Sequence, residues 1–429
     1  MDLDNKSFRE KWSQVKDQLT STEIDKLELL VNKAHQEACA ILQGNMPAKT
    51  ISYPELIMVK TLLGEGSPLK ITQALKHSKS KVDSKGQIWG NKKYEQLDLE
   101  WASSAANYFK YKNNKAPFGK NAQVISIPDD VNIAIAGDWG TGYWRENDTP
   151  AKKVAVQMLG SQPDYTIHIG DTYYSGTKGE MKDNLVKIWP KGKSGTFAIP
   201  GNHEMYCGNH NYYAILPELC PLQKGASYFA LQNKNWLIIA LDSAYYATGD
   251  FYNVGSIGSK EGEQAVWLKN VLGRTDNRKI IIITHHQPVD LSGKVVSNLF
   301  GEVNSILIEN HFDSPAFWYF GHEHNAVVYS DLSAIDLPSR CIGHGAIPYG
   351  IASDLNVAIG DTVIWSESES ANDPEYPERV LNGYLSLLLN GTSITETLFS
   401  ENGDLRWTQS IDFEDVSLQF QNEKELKLE

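Results

Sequence analysis

From about residue 125 the chain alternates short aliphatic runs with longer amphipathic ones. "VNIAIAGDWG" reads as a buried strand closing at Gly137, and a helical pattern runs from Pro150 to Leu159. "DYTIHIGD" is the next strand, with a helix near Glu180–Trp189, and "GTFAIPGNHE" is a third strand and its turn. The strand "WLIIALDS", a helix around Gln264–Leu272, the strand "KIIIITHH", a helix from Val295 to Ile308 and the strand "AFWYFGHEH" follow. Strand–helix alternation of this kind predicts a largely parallel sheet covered by helices, because parallel neighbours need long crossovers. The segment "NGYLSLLLNGTSITETLFSENGDLRWTQSI" then alternates apolar and polar positions around the turn signals Asn390-Gly391 and Asn402-Gly403, which predicts antiparallel strands. No internal repeat is visible.

The front of the chain has helical spacing instead. Phe8, Trp12, Val15 and Leu19 share one helix face, and Thr20 with Glu23 forms a capping box ahead of Ile24, Leu27, Leu30 and Val31. Gly44 and Pro47 stop that run. Ser52 with Pro54, and Ser67 with Pro68, read as further helix starts, the polar stretch Lys76–Gln87 as loop, and Tyr94–Tyr111 as another helix. The expected organisation is a helical accessory region over 1–120, a catalytic domain over 121–415 and a polar tail over 416–429.

The chemistry sits at the ends of the predicted strands. Asp138, Asp171 with Tyr174, Asn202 with His203, His286, and His322 with His324 each follow directly on an apolar run. In open α/β sheets the loops at the carboxyl ends of parallel strands converge on the ligand, so these clusters are expected to meet. His322 and His324, two apart, point the same way in an extended backbone and suit a transition metal; two surface loop histidines are the plain alternative. Carboxylate, amide and phenol oxygens beside imidazoles fit iron, zinc or manganese better than calcium or a Cys-bound structural zinc. Two ions a few ångströms apart need a bridging carboxylate, and Asp171 in the middle of the set is the candidate.

The ordered set "GDWG", "GDTYY", "GNHE", "THHQP" and "GHEHN" resembles the calcineurin-like metallophosphoesterases, and among them the purple acid phosphatases, over roughly residues 128–410. The resemblance implies an α/β, four-layered αββα sandwich of two packed sheets flanked by helices, with the N-terminal helical region added. It also implies two metal ions, iron with zinc, manganese or a second iron. One would be held by Asp138, Asp171, Tyr174 and His324, the other by Asp171, Asn202, His286 and His322. Most calcineurin-like enzymes have a histidine where this chain has Gly140; Tyr174 takes that ligand position, as a tyrosinate does in purple acid phosphatases, with aromatic packing as its alternative and as the reading for Tyr173. The spacing of ligand, any residue and proline selects His286 over His285. His203 would face the phosphoryl group, stabilising charge or protonating the leaving oxygen. Glu204 would orient a neighbour, and His285, His344 and His210 would lie around the pocket, each with a purely structural alternative.

The implied activity is hydrolysis of a phosphate ester, a monoester first and a diester or nucleotide second. "GDTYYSG" lacks the Asp-Arg-Gly of the protein phosphatases of the wider superfamily. A non-catalytic partner-binding protein that retains the metal fold is the alternative of a different class. Composition changes this picture little: of 429 residues 41% are hydrophobic and 22% charged, which is ordinary for a globular chain. The net charge of −13 is uneven, +5 over residues 1–120 and −18 over the rest. That acidity argues against extended nucleic acid and for a small phosphorylated substrate, and the basic front is expected to dock on the acidic remainder or to bind a protein partner. No run approaches the roughly 18–20 apolar residues of a membrane span, and "MDLDNKSFREKW" has no secretory pattern, so the cytoplasm is the expected location. Cys39, Cys207, Cys220 and Cys341 form no CxxC pair, which suits a reducing compartment, with a Cys207–Cys220 bridge left open.

Overall fold

The computed structural model describes residues 5–17, 19–43, 45, 56, 59–65, 81–82, 88–89, 99–120, 122–140, 149–274, 278–312, 314–347, 355, 358–373 and 379–414. The helix starts read at Ser52 and Ser67, most of the polar stretch 76–87 and the tail 416–429 lie outside these residues. In the front part, α1 (Asn5–Lys16), α2 (Ser21–Leu42), α3 (Val59–Leu63) and α4 (Leu99–Tyr111) are helical. The Thr20–Glu23 capping box forms as expected, with the Glu23 carboxylate accepting from the Thr20 backbone N–H at 3.0 Å. Inside the stretch read as loop, β1 (Lys81–Val82) pairs antiparallel with β2 (Ile88–Trp89) just beyond it.

The chain then builds two sheets. After β3 (Val124–Ser126) come β4 (Asp130–Ala136), α5 (Pro150–Gly160), β5 (Tyr165–His168) and β6 (Gly195–Ala198). The helix expected over 180–189 is shorter, Lys178–Glu180 continuing as a π-helical turn over Met181–Val186. The site-bearing α6 (Asn202–Tyr206) and α7 (His210–Leu219) follow, then β7 (Phe229–Gln232), β8 (Trp236–Leu241), α8 (Glu263–Leu272), β9 (Lys279–Thr284), α9 (Asn298–Glu309) and β10 (Phe317–Phe320). Last are β11 (Ala326–Tyr329), β12 (Ser339–Ile342), β13 (Val363–Ser366), β14 (Gly383–Asn390), β15 (Ser393–Ser400) and β16 (Leu405–Asp412).

One sheet has the order β16-β15-β14-β4-β5-β6 and the other β13-β11-β12-β10-β9-β8-β7-β3. The period-2 alternation of buried strands explains how they stack. Ile281 and Ile283 of β9 and Phe317 and Tyr319 of β10 face Ile133, Ile135, Ile167 and Leu387 of the other sheet, forming the central core. Their neighbours Ile280, Ile282, Trp318 and Phe320 point outward beneath Leu268 of α8 and Val303 of α9. On the far side Ala134 and Ala136 pack under Val154 and Met158 of α5 and Leu216 of α7. The result is the four-layered helix–sheet–sheet–helix sandwich.

The sheets are mixed, and their parallel portions matter for function. β4, β5 and β6 run parallel in one sheet, and β8, β9, β10 and β12 in the other. Their carboxyl ends deliver residues 138, 171, 202, 243, 285 and 322 to one edge of the sandwich. The N-terminal helices join the molecule here through an apolar core, with Leu27, Val31, Ala105 and Phe109 packing on Met205, Tyr206, Phe251 and Tyr252. All four cysteines are free, including Cys207 and Cys220. Among the described residues no helix is long and apolar enough to cross a membrane.

Candidate active site and metal centre

Asp171 lies at the middle of the converging loops. Its Oδ1 accepts the His203 backbone N–H at 2.9 Å, and its Oδ2 lies 3.2 Å from His285 Nε2, 3.3 Å from the Tyr173 hydroxyl and 3.8 Å from His203 Nε2. Asp138 flanks it: Oδ2 accepts the His322 N–H at 3.0 Å, while Oδ1 is 3.3 Å from His324 Nε2 and 3.4 Å from the Tyr173 hydroxyl. On the other flank Asn202 Oδ1 lies 3.0 Å from His322 Nδ1 and 3.2 Å from His285 Nε2. Asp138, Asp171 and His285 offer donor atoms within 4.8 Å of one another, and so do His285, His286 and His322; all are buried. The two groups overlap at His285, and the Asp171 carboxylate beside it, with two oxygens, is the side chain that could serve two cations.

Backbone conformation shows how tightly the cluster is assembled. Asp138, Asp171, His322 and His324 have φ of 56°, 65°, 66° and 39°, a left-handed region that non-glycine residues seldom enter and that concentrates at functional sites. Gly201 is dictated by space: a Cβ there would stand 2.1 Å from Asp171 Oδ1. Gly140 has φ of 92°, which disfavours any side chain. The loops are stitched by a carboxylate. Glu204 accepts the backbone N–H groups of Thr172 at 2.6 Å, Gly201 at 2.7 Å and Asp171 at 3.0 Å, so it ties the loop after β5 to the loop after β6.

Several residues lie elsewhere than the sequence pattern suggested. The phenol that the structure places at Asp138, Asp171 and His324 is that of Tyr173, which also bonds His324 Nε2. Tyr174 contributes its carbonyl, which accepts His203 Nδ1–H at 2.6 Å. The imidazole beside Asp171 and Asn202 is His285, whose Nδ1–H donates to the Ile169 carbonyl at 3.0 Å and leaves Nε2 facing the cluster, the usual orientation of a metal-ligating histidine. His286, although close to His285 and His322, spends Nδ1 on Ser243 Oγ at 2.9 Å and Nε2 on the Tyr252 carbonyl at 2.8 Å. His322 and His324 do not share one target, because β10 ends at Phe320 and the turn sends His322 toward Asn202 and His324 toward Asp138. His344 lies against Gly383, and burial lowers its pKa to about 4. His210 faces the Asn114 carbonyl at 2.9 Å instead of the cluster.

Electrostatics are those of a buried site built for positive charge. Burial would raise the pKa of Asp171, but His285 and His203 outweigh it and hold the carboxyl well below its usual range. Burial would lower that of His285, yet Asp171, Asp138 and Glu204 bring it up to about 9. Imidazole nitrogens meet carboxylate and amide oxygens at 3.0–3.3 Å, contacts that a proton on nitrogen satisfies, and the same buried oxygens and nitrogens are the donor types a transition-metal cation takes. The donor set therefore fits a metal centre.

Fold and donors can be set beside known proteins. Residues 131–326 match the sequence profile of the calcineurin-like phosphoesterase family. Among solved structures it is similar to a purple acid phosphatase, PPD1, from yellow lupin (Lupinus luteus) seeds, at 12% identity and a TM-score of 0.46. That match covers 68% of this chain and 56% of the lupin protein, so this chain spans little more than half of it. It is also similar to GAP50, the anchor in the inner membrane complex of Plasmodium, at 15% identity, TM-score 0.46, and 66% and 89% coverage. A dimetal phosphatase from Danio rerio matches at 12% identity, TM-score 0.40, and 66% and 99% coverage. No curated sequence matches significantly.

Proposed function

We propose that the protein is a phosphomonoesterase working on a dinuclear metal centre. The observation that carries this reading is the gathering of Asp138, Asp171, Asn202, His285, His322 and His324 at one buried point, with the Asp171 carboxylate at its centre. Asp138, Asp171, His324 and Tyr173 would hold one ion, and Asp171, Asn202, His285 and His322 the other, with Asp171 between them. His286 stays outside both groups, its nitrogens spent on Ser243 Oγ and the Tyr252 carbonyl. Such a pair, when bound, supplies an activated water and neutralises phosphoryl charge; manganese, iron and zinc all suit the donors.

The chain's own residues do the positioning. His203 donates its Nδ1–H to the Tyr174 carbonyl, so Nε2 is the nitrogen turned toward Asp171 and the cleft, where a substrate oxygen would meet it. A proton held at Nε2 would pass to the leaving oxygen as the ester bond breaks. Glu204 keeps the Asp171 and Gly201 backbones fixed while this happens.

The test is turnover of 4-nitrophenyl phosphate by manganese-loaded protein. His203→Ala is expected to retain the metal and lose about 10²–10⁴ in kcat. Wild-type protein that binds manganese but turns over neither this monoester nor other phosphate esters would refute the reading, and a His203→Ala variant at the wild-type rate would remove His203 from it.

A further inference from the structure

Helix α4 lies outside the segment that matches the phosphoesterase family, yet it touches the site at two places. Ser104, buried on α4, donates its hydroxyl to the Tyr174 carbonyl at 3.0 Å and lies 2.8 Å from Ser175 Oγ. That carbonyl is the acceptor for His203 Nδ1–H. One oxygen with two lone pairs thus receives one donor from the accessory helix and one from the histidine facing the cleft. Four residues further along the same helix, Tyr108 stacks on Phe251 at 4.6 Å and meets Tyr252 edge-on at 5.2 Å. Phe251 and Tyr252 both have φ of 55°, an unfavourable conformation for aromatic residues that surrounding packing must hold. Their carbonyls accept from Asn202 Nδ2 at 3.4 Å and His286 Nε2 at 2.8 Å.

We propose that α4 is a positioning element of the active site, with Ser104 fixing the Tyr174 carbonyl that orients His203, and Tyr108 bracing the segment that orients Asn202 and His286. This rests on the hydrolase reading above. It makes the accessory region part of the catalytic apparatus: Ser104 and Tyr108 touch no reacting atom and act through the residues they hold. Two donors on the Tyr174 carbonyl fix its direction, and the carbonyl, by taking the Nδ1–H, fixes the ring orientation that turns Nε2 toward Asp171.

The experiment compares manganese-loaded full-length wild type, Ser104→Ala, and Lys110→Ala as a control on the exposed side of α4. Ser104→Ala is expected to keep its manganese and its KM and to lose about five- to tenfold in kcat, the effect of one buried hydrogen bond. Lys110→Ala should match wild type. In a His203→Gln background the Ser104→Ala loss should shrink to below about twofold, because the residue it acts through is gone. Wild-type kcat in folded Ser104→Ala, or the same fold-loss in both backgrounds, overturns the proposal. If Ser104→Ala does not fold, Ser104→Cys, close in size and a weaker donor, replaces it with the same two outcomes. A wild type inert toward phosphate esters refutes the hydrolase reading separately. The positioning claim is then read from long-range 15N-histidine spectra of the full chain. His203 Nδ1 should carry a single, hydrogen-bonded proton signal in wild type, whether or not Nε2 is also protonated, and lose that uniform signal in Ser104→Ala; an unchanged Nδ1–H signal would overturn it.

Discussion

Tyr173 and Tyr174 are neighbours of identical chemistry, and only the turn after β5 decides which phenol enters the metal cluster. The sequence pattern pointed to Tyr174 by its spacing from Asp171; the structure brings in Tyr173, whose hydroxyl lies 3.3 Å from Asp171 Oδ2. The same ambiguity separates His285 from His286 one residue past β9. Period-2 reasoning ends where the strand ends, and positive φ at Asp171, His322 and His324 redirects side chains in ways no alternation rule anticipates. Residue types and approximate positions were legible; pointing directions were not. Glu204 was legible only as a companion of Asn202, since the three backbone N–H groups it accepts come from loops 30 residues apart in the chain. The expected outcome with ferric iron is a visible charge-transfer band that disappears in Tyr173→Phe and survives in Tyr174→Phe. The absorption spectra of the two variants distinguish the phenols, and the reverse pattern would restore Tyr174.

At the scale of elements, strand existence was the most readable feature, because β4, β5, β8, β9 and β10 are buried on both faces and appear as unbroken aliphatic or aromatic runs. Less readable were α7 and β11 to β13, where short runs of mixed polarity gain definition only from neighbours, and the π-helical turn Met181–Val186. The end of β8 carries a device that periodicity cannot show. Asp242, fully buried, accepts Ser227 Oγ–H at 2.6 Å and the N–H groups of Ala244 and Tyr245 at 2.9 Å, shaping the loop that leads to Phe251 and Tyr252. Burial raises its pKa to about 6 against these hydrogen bonds. An acid whose folded pKa exceeds its unfolded value of about 4 binds more protons when folded, so its stabilising contribution is complete below about pH 4 and is lost as pH rises through about 6. Relative to Asp242→Asn, wild type should therefore lose stability between those limits, by up to about 3 kcal/mol. Urea unfolding of both proteins across that range measures the difference, and parallel pH profiles would count against it.

For the whole molecule, the uneven charge suggested an electrostatic docking of the front on the acidic remainder. Among the described residues the structure joins them by apolar packing, with Leu27, Val31 and Phe109 on Met205, Tyr206 and Phe251, and with Lys115 over the Tyr252 ring at 4.5 Å. Charge bookkeeping could not foresee this, because the partner surface is assembled from α6 and the turn at 250–252, which are far apart in sequence. Helices that share a core with the site should unfold with it. Leu27→Ala in α2 and Ile282→Ala in β9 should each lower one common thermal transition by about 2–5 kcal/mol, as buried truncations do, and a separate early transition for Leu27→Ala would contradict the shared core. The central claim is that loops from both sheets bring oxygen and imidazole donors together around Asp171 to hold a metal pair. Equilibrium titration of metal-depleted full-length protein with manganese, read by elemental analysis, tests it most directly. The expected result is two ions per chain for wild type and fewer than one for Asp171→Asn; wild type binding none, or Asp171→Asn binding as many as wild type, would contradict it.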